Sequence, residues 1–255
     1  MNNSNLNKNS DCNNMPLQQP VDLHIHTIAS GHAYSTMEEI CRAAASKKLE
    51  LLAFTDHGPS MPGGTHKYHF GNMRVLPSHI NGVRVLSGVE ANITSYDGTL
   101  DLPDFYLRLL DIVWVGLHNP CCPPGSCEDN TKALTEALKN PLVDGIVHPG
   151  NPDYPIDAEE VVAIAKKQGK LIEINNSSLF VRKGSRDNCF KIASLAREAG
   201  CLIAVNSDAH FAEDAGKVDK ALELAFSAGL EAGQIITTSV ESALKFIESR
   251  KALKA

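Results

Sequence analysis

From Val21 onward, short apolar runs rich in β-branched residues recur along the chain, each closed by a polar or turn residue. Seven of them read as strands: Val21–Ile25, Leu51–Thr55, Arg84–Val89, Ile112–Leu117, Gly145–Val147, Leu171–Ile174 and Leu202–Val205. They are brief and apolar at most positions, as strands buried on both faces are. Helical periodicity fills most of the gaps. Ser35-Thr36-Met37-Glu38 reads as a capping box ahead of an apolar face of Ile40, Ala43 and Ala44. Asp157 caps a helix through Val161, Ile164 and Ala165, and another helix covers Asn188–Ala199 and stops at Gly200. Thr238-Ser239-Val240-Glu241 opens the last helix, which carries Leu244, Phe246 and Ile247. Alternating strand and helix predicts a parallel sheet. Polar residues at many strand ends favour a closed barrel, because an open sheet gathers its ligand at one switch point. The longest insertion, Gly58–Asn81, is rich in Gly, Pro, His and Met and reads as a lid or substrate-binding segment.

A chain of 255 residues can bury one large core. Residues 1–20 are Asn-rich and polar and read as a disordered tail, leaving 21–255 as a single domain. No apolar run is long enough for a bilayer, and no leader pattern opens the chain, so a cytoplasmic location is expected. The net charge of −6 argues against an extended nucleic-acid surface. It leaves room for a small anionic substrate if bound metal ions supply positive charge locally. Seven cysteines without a Cys-x-x-Cys pair argue against a disulfide framework. Cys121, Cys122 and Cys127 flank Pro123-Pro124-Gly125 in a spacing that matches no zinc pattern and read as reduced thiols in a loop. A homo-oligomer is compatible with the sequence, and no exposed stripe specifies one.

Seven of the ten histidines stand at or just beyond predicted strand ends. His24 and His26 alternate by two, which in a strand points both to one side. His32, His57, His118, His148 and His210 follow later, and histidine is the commonest metal ligand. Glu90 ends an apolar strand, where an unpartnered carboxylate is costly, and its two oxygens suit it to bridging two cations. Asp208 and His210 repeat the alternate-by-two spacing. Other residues read two ways. Asp56 either orients a ligand imidazole or caps its strand end. His66, Lys67, Tyr68, His69 and Arg74 either contact a substrate or form a solvated loop. Arg182 and Lys183 are either a phosphate clamp or a basic loop. His79 reads as a surface residue, and Trp114 packs in the barrel wall.

His24-x-His26, Thr55-Asp56-His57-Gly58, Gly88-Val89-Glu90, His148-Pro149 and Ser207-Asp208-Ala209-His210 together resemble the PHP (polymerase and histidinol phosphatase) superfamily, and within it the YcdX-like phosphatases. Supporting segments are Ser30 to Thr36, His69 to Arg74, His148 to Pro152 and Glu173 to Ser178. The resemblance implies a distorted seven-stranded β/α (TIM-like) barrel carrying three divalent metal ions at the strand carboxyl ends. One ion would take His24, His26, Glu90 and Asp208, a second Glu90, His118 and His148, and a third His32, His57 and His210. Imidazole-rich sites suit zinc, with manganese or iron as alternatives. Three such cations against two carboxylates leave a formal charge of roughly +4, which selects for phosphate. The expected activity is hydrolysis of small phosphomonoesters by a metal-activated water or hydroxide. Glu90, Asp56, His69 and Arg74 are the catalytic candidates, and Arg74, Arg182 and Lys183 the substrate-binding ones. Phosphodiesterase or exonuclease chemistry and a non-catalytic metal-binding module are the competing readings.

Overall fold

Seven parallel strands form a nearly closed barrel in the computed structural model, which describes residues 19–254. They are β1 (Val21–Ile25), β2 (Leu51–Phe54), β4 (Val83–Asn92), β5 (Ile112–Gly116), β6 (Gly145–Ile146), β7 (Leu171–Asn175) and β8 (Ile203–Asn206), paired in that order. The last strand starts one residue later than expected, because Leu202 lies at the surface. The insertion between β2 and β4 is not loop throughout. It holds helix α2 (Lys67–Asn72) and then a two-residue strand, β3 (His79–Ile80), which pairs antiparallel with β4. Asn81 and Gly82 turn this hairpin with positive φ of 50° and 83°. An Asn-Gly pair is the strongest short-range hairpin signal, so the sequence did carry it.

The other helices are α1 (Met37–Ser46), α3 (Asp104–Leu107), α4 (Cys127–Lys139), α5 (Ala158–Gln168), α6 (Ser178–Val181), α7 (Ser185–Ala199), α8 (Asp219–Ser227) and α9 (Val240–Lys254). The capping box of α1 is Thr36 with Glu39, one residue later than Ser35 with Glu38. Ser35 instead accepts a bond from the Ala212 amide through its hydroxyl. Asp157 caps α5 as expected, and Gly200 ends α7 in the left-handed conformation. That helix begins at Ser185, three residues before the predicted Asn188.

Side chains reinforce the seam between β1 and β8, at whose carboxyl ends a backbone bridge pairs Ile25 with Ala209. The Gln19 amide donates to the carbonyls of Val21 and Val205, each at 2.6 Å, and Asn206 Oδ1 accepts from the Leu23 amide at 2.9 Å. Gln19 is buried and therefore belongs to the barrel, not to the predicted tail. Residues 1–18 of that tail lie outside the described residues.

Inside the barrel, Val21, Leu23, Leu51, Leu86, Trp114 and Leu171 pack with Ala243, Phe246 and Ile247 of α9. The last helix thus plugs the amino-terminal mouth. Trp114 points inward and donates its indole N–H to the Leu23 carbonyl at 2.7 Å, where the β1 register shifts. Gly145 admits that ring, since a Cβ there would stand 2.4 Å from Trp114 Cζ3. A second, larger apolar layer lies between the strands and the outer helices. No helix among the described residues is long and apolar enough to cross a membrane.

Candidate metal centre

Polar side chains fill the opposite mouth. His24 and His26 emerge from the end of β1, and Glu90 lies in β4 in register with Trp114. All three are fully buried. His57, His118, His148, Asp208 and His210 follow the ends of β2, β5, β6 and β8, and His32 reaches in from the loop before α1. Gly116 gives two imidazoles their room: a Cβ there would stand 3.0 Å from His118 Cε1 and 3.1 Å from His148 Cε1. His148 and Asp208 hold left-handed backbone, with φ of 35° and 57°. Such conformations cost about 1–3 kcal/mol each and persist where surrounding bonds enforce them. Here the His148 amide donates to Glu173 Oε2 at 2.8 Å, and the Asp208 amide to the His24 carbonyl at 3.0 Å.

Four imidazoles share one orientation. Each directs Nδ1 at an acceptor: His24 at Glu173 Oε1 (2.7 Å), His26 at the Ser30 hydroxyl (2.9 Å), His118 at Asn92 Oδ1 (2.8 Å) and His210 at the Asp208 carbonyl (3.0 Å). With Nδ1 donating outward, the Nε2 lone pairs of all four face the interior. They also face one another: Nε2 of His24 lies 3.0 Å from that of His26, His118 3.3 Å from His148, and His210 3.1 Å from His32. Opposed lone pairs repel unless a cation or proton lies between them.

Distances test the fit of a metal. Glu90 Oε2 stands 3.4 Å from His24 Nε2 and 3.3 Å from His26 Nε2, and Asp208 Oδ1 stands 3.6 and 3.3 Å from the same atoms. A tetrahedral zinc with bonds of about 2.0–2.1 Å has ligand–ligand edges of about 3.3–3.4 Å. The four imidazole–carboxylate edges, at 3.3 to 3.6 Å, lie near that spacing, and the His24–His26 edge is shorter at 3.0 Å. The other oxygen, Glu90 Oε1, faces His118 Nε2 at 3.0 Å and His148 Nε2 at 2.8 Å. His32, His57 and His210 meet more loosely, with ring centroids 4.9 to 6.2 Å apart. Glu90 Oε2 and His57 Nδ1 lie 2.8 Å apart, yet both are buried without an aligned hydrogen bond. Buried polar atoms left so are rare and mark a missing partner.

The electrostatics agree. Burial disfavours charge on His24, but Glu173, Asp208 and Glu90 outweigh it and raise its pKa well above normal. Burial likewise opposes His26, while bonds to Asp208 and Glu90 lift it to about 9. Positive charge is therefore what this centre demands, and a metal competes with the proton for the same lone pairs. Burial draws His57 down to about 3 and His148 and His210 to about 4, leaving those rings neutral at pH 7. Burial pushes Asp56 up, but the His69 contact and the His26 charge outweigh it and bring it to about 2.

Two supporting residues stood in the sequence only as parts of resembling segments, with no role assigned. Glu173 holds the His24 ring and the His148 backbone and also accepts from Asn206 and Asn175. Its signal was a carboxylate inside an otherwise apolar strand. Ser30 links His26 to Asp56 by donating to Asp56 Oδ1 at 2.7 Å. Asp56 also accepts from both the amide and hydroxyl of Thr27, and His69 Nε2 lies 3.4 Å from Asp56 Oδ2. Arg182 joins Asp208 and His210 in lining a cavity of about 200 Å³ over the cluster. Arg74 and Lys183 do not reach it. Both are exposed, and Arg74 follows α2 on a turn that lines a separate groove with Phe105. His79 is exposed in β3, as expected. Cys121, Cys122 and Cys127 are unpaired, and no cysteine enters the candidate metal groups among the described residues.

The PHP domain profile matches residues 22–248. The chain belongs to the PHP domain family. A relative from Thermoanaerobacter sp. strain X514, named a probable phosphatase, is 51% identical over 91% of this chain and 95% of its own length. Another probable phosphatase, from Acetivibrio thermocellus, is 46% identical over 91% of this chain and 96% of its own. Among solved structures, a histidinol phosphate phosphatase from Lactococcus lactis aligns with a TM-score of 0.62 at 14% identity, covering 84% of this chain and 95% of that one. It was solved with zinc, L-histidinol and phosphate. That likeness is one of fold. Membership in the PHP family, with relatives of such identity and coverage, makes this chain a hydrolase of the phosphatase type.

Proposed function

We propose that this PHP-domain protein hydrolyses small phosphomonoesters with three divalent cations, zinc first, with manganese or iron as alternatives. His24, His26, Glu90 and Asp208 would hold one, Glu90, His118 and His148 a second, and His32, His57 and His210 the third. The observation that carries the reading is the convergence of inward Nε2 lone pairs on the two oxygens of one buried carboxylate. When bound, such cations supply Lewis acidity toward phosphoryl oxygens and an activated water.

The chain's own residues position and select. Glu90 presents one oxygen to the His24–His26 pair and the other to the His118–His148 pair, so it sets the spacing of two sites. Asp56 acts through Ser30, keeping the Nδ1 proton of His26 directed away from the centre. His69, against Asp56, ties α2 to this relay as a positioning residue. Arg182 is anchored by its bond to the Ser178 hydroxyl at 2.6 Å and stands 3.7 Å from Asp208, at the cavity wall where phosphoryl oxygens would lie. Arg74 and Lys183 have no part in the proposal.

Elemental mass spectrometry on protein purified without added metal, paired with phosphate release from monoesters and a phosphodiester, tests the reading. Support would be about three metals per chain, with monoester release that chelation abolishes. Preference for the diester would favour the phosphodiesterase alternative. Retained metal without turnover of either ester would leave a metal-binding module.

A further inference from the structure

The cavity over the cluster is about 200 Å³, small for a whole substrate, and it adjoins a second cavity of about 600 Å³. Small-molecule sites run to about 300–1,000 Å³. Arg182, Asp208 and His210 line both spaces, so the two share a wall at the candidate metal centre. The larger space has both apolar and charged lining. Its apolar lining is Phe180 and Val181 of α6, each 68% exposed. Its charged lining includes Asp214 and Lys217, paired at 2.6 Å. A single exposed apolar side chain needs no explanation, but two adjacent ones bordering a cavity beside a reactive centre mark a binding surface. The groove beside α2 and α3 is larger, at about 720 Å³, and is also apolar. None of the candidate metal ligands lines it.

Resting on the phosphomonoesterase reading, we propose that the cavity lined by Phe180, Val181, Asp214 and Lys217 binds the alcohol half of the ester and selects alcohols bearing an aromatic ring. The phosphoryl group occupies the small space beside Arg182, and the ester oxygen lies at the shared wall. The ring packs on Phe180 and Val181, and the Lys217 ammonium faces it from the charged lining. A two-carbon alcohol would leave this surface uncovered.

Ethyl phosphate and 2-phenylethyl phosphate test the proposal, because both leave as primary alcohols and differ by the ring. The metal-loaded enzyme should favour the phenyl ester in kcat/KM by about tenfold or more, which is what burying one ring is worth. Phe180→Ala should cut that preference by about threefold to tenfold, whereas Phe105→Ala in the other groove should leave the ratio in place. Equilibrium binding of 2-phenylethylphosphonate and ethylphosphonate gives the same ratio without turnover. If esters are hydrolysed with a ratio near one, or if Phe105→Ala and not Phe180→Ala removes it, the alcohol site is wrong and the phosphatase reading stands. If neither ester is hydrolysed but the phosphonates show the preference and Phe180→Ala removes it, the pocket stands and the phosphatase reading falls.

Discussion

Two buried carboxylates occupy opposite ends of this barrel, and they differ in how completely they are satisfied. Asp144, just before β6, meets Arg250 Nε at 3.0 Å through one oxygen. Its other oxygen accepts from the Val113 amide at 2.8 Å and Lys254 Nζ at 2.5 Å. Both oxygens have fixed donors, and two of the three donors come from α9, so the cluster clamps the plug onto the barrel. Glu90 is as buried, but its Oε2 has no aligned donor and its neighbours are imidazoles with inward lone pairs. Burial of a charge is thus common to a structural clamp and a candidate metal site. What separates them is an unmet demand for positive charge, which a proton, a metal or a substrate can fill.

The largest effect should come from breaking the unsatisfied end. Glu90→Gln keeps the side-chain shape but removes the charge and one acceptor, and is expected to lower phosphate release about 10³-fold or more. Metal content should fall in the same preparation, with circular dichroism unchanged. Wild-type turnover with full metal content would end the bridging assignment. The satisfied end should respond oppositely. Asp144→Leu strands Arg250 and Lys254 and should cost about 3–5 kcal/mol in urea unfolding, while metal per folded chain stays the same. Loss of metal without loss of stability would reverse the contrast.

Glu173→Gln probes what connects the ligands to the wall. It weakens the hold on both the His24 ring and the His148 backbone, and metal affinity should drop about 10- to 100-fold. Competition with a calibrated chelator measures this, and unaltered affinity would reduce Glu173 to a packing residue. The smallest effect concerns Lys170, beside the Asp144 clamp, which donates to the carbonyls of Asn140 and Val143. Burial, then the Arg250 charge, pulls its pKa from 10.5 to about 7, against the pull of Asp144. The unfolded chain binds the extra proton between these values, so stability rises with pH across that window. The gain is complete above about 10.5 and lost as pH falls through about 7. Lys170→Met should flatten the unfolding free energy over this range, and an unchanged slope would assign it to another group.

Much of the barrel was legible because strands buried on both faces must be apolar throughout, and seven such runs stand out between polar boundaries. The Asn81-Gly82 hairpin was legible too, yet its two-residue strand is too short to show any periodicity. Glu173 was visible as a charge in an apolar strand, but not which two ligands it would hold. Arg74 and Arg182 look alike in sequence. Their difference arises because the turn after α2 carries Arg74 out to a separate groove, while Ser178 and Asp208 draw Arg182 toward the cluster.

By itself, the sequence determined the residue types, the strand–helix alternation and the set of histidines and acids that reach strand ends, since all of these depend on local spacing. The tertiary structure alone decided which lone pairs face one another, which carboxylate is left unmet, and that Gln19 and Asn206 staple the seam. Those outcomes depend on contacts between residues far apart in the chain, as Gln19 to Val205 and His24 to Glu173 are, and no local pattern encodes a distance between distant side chains.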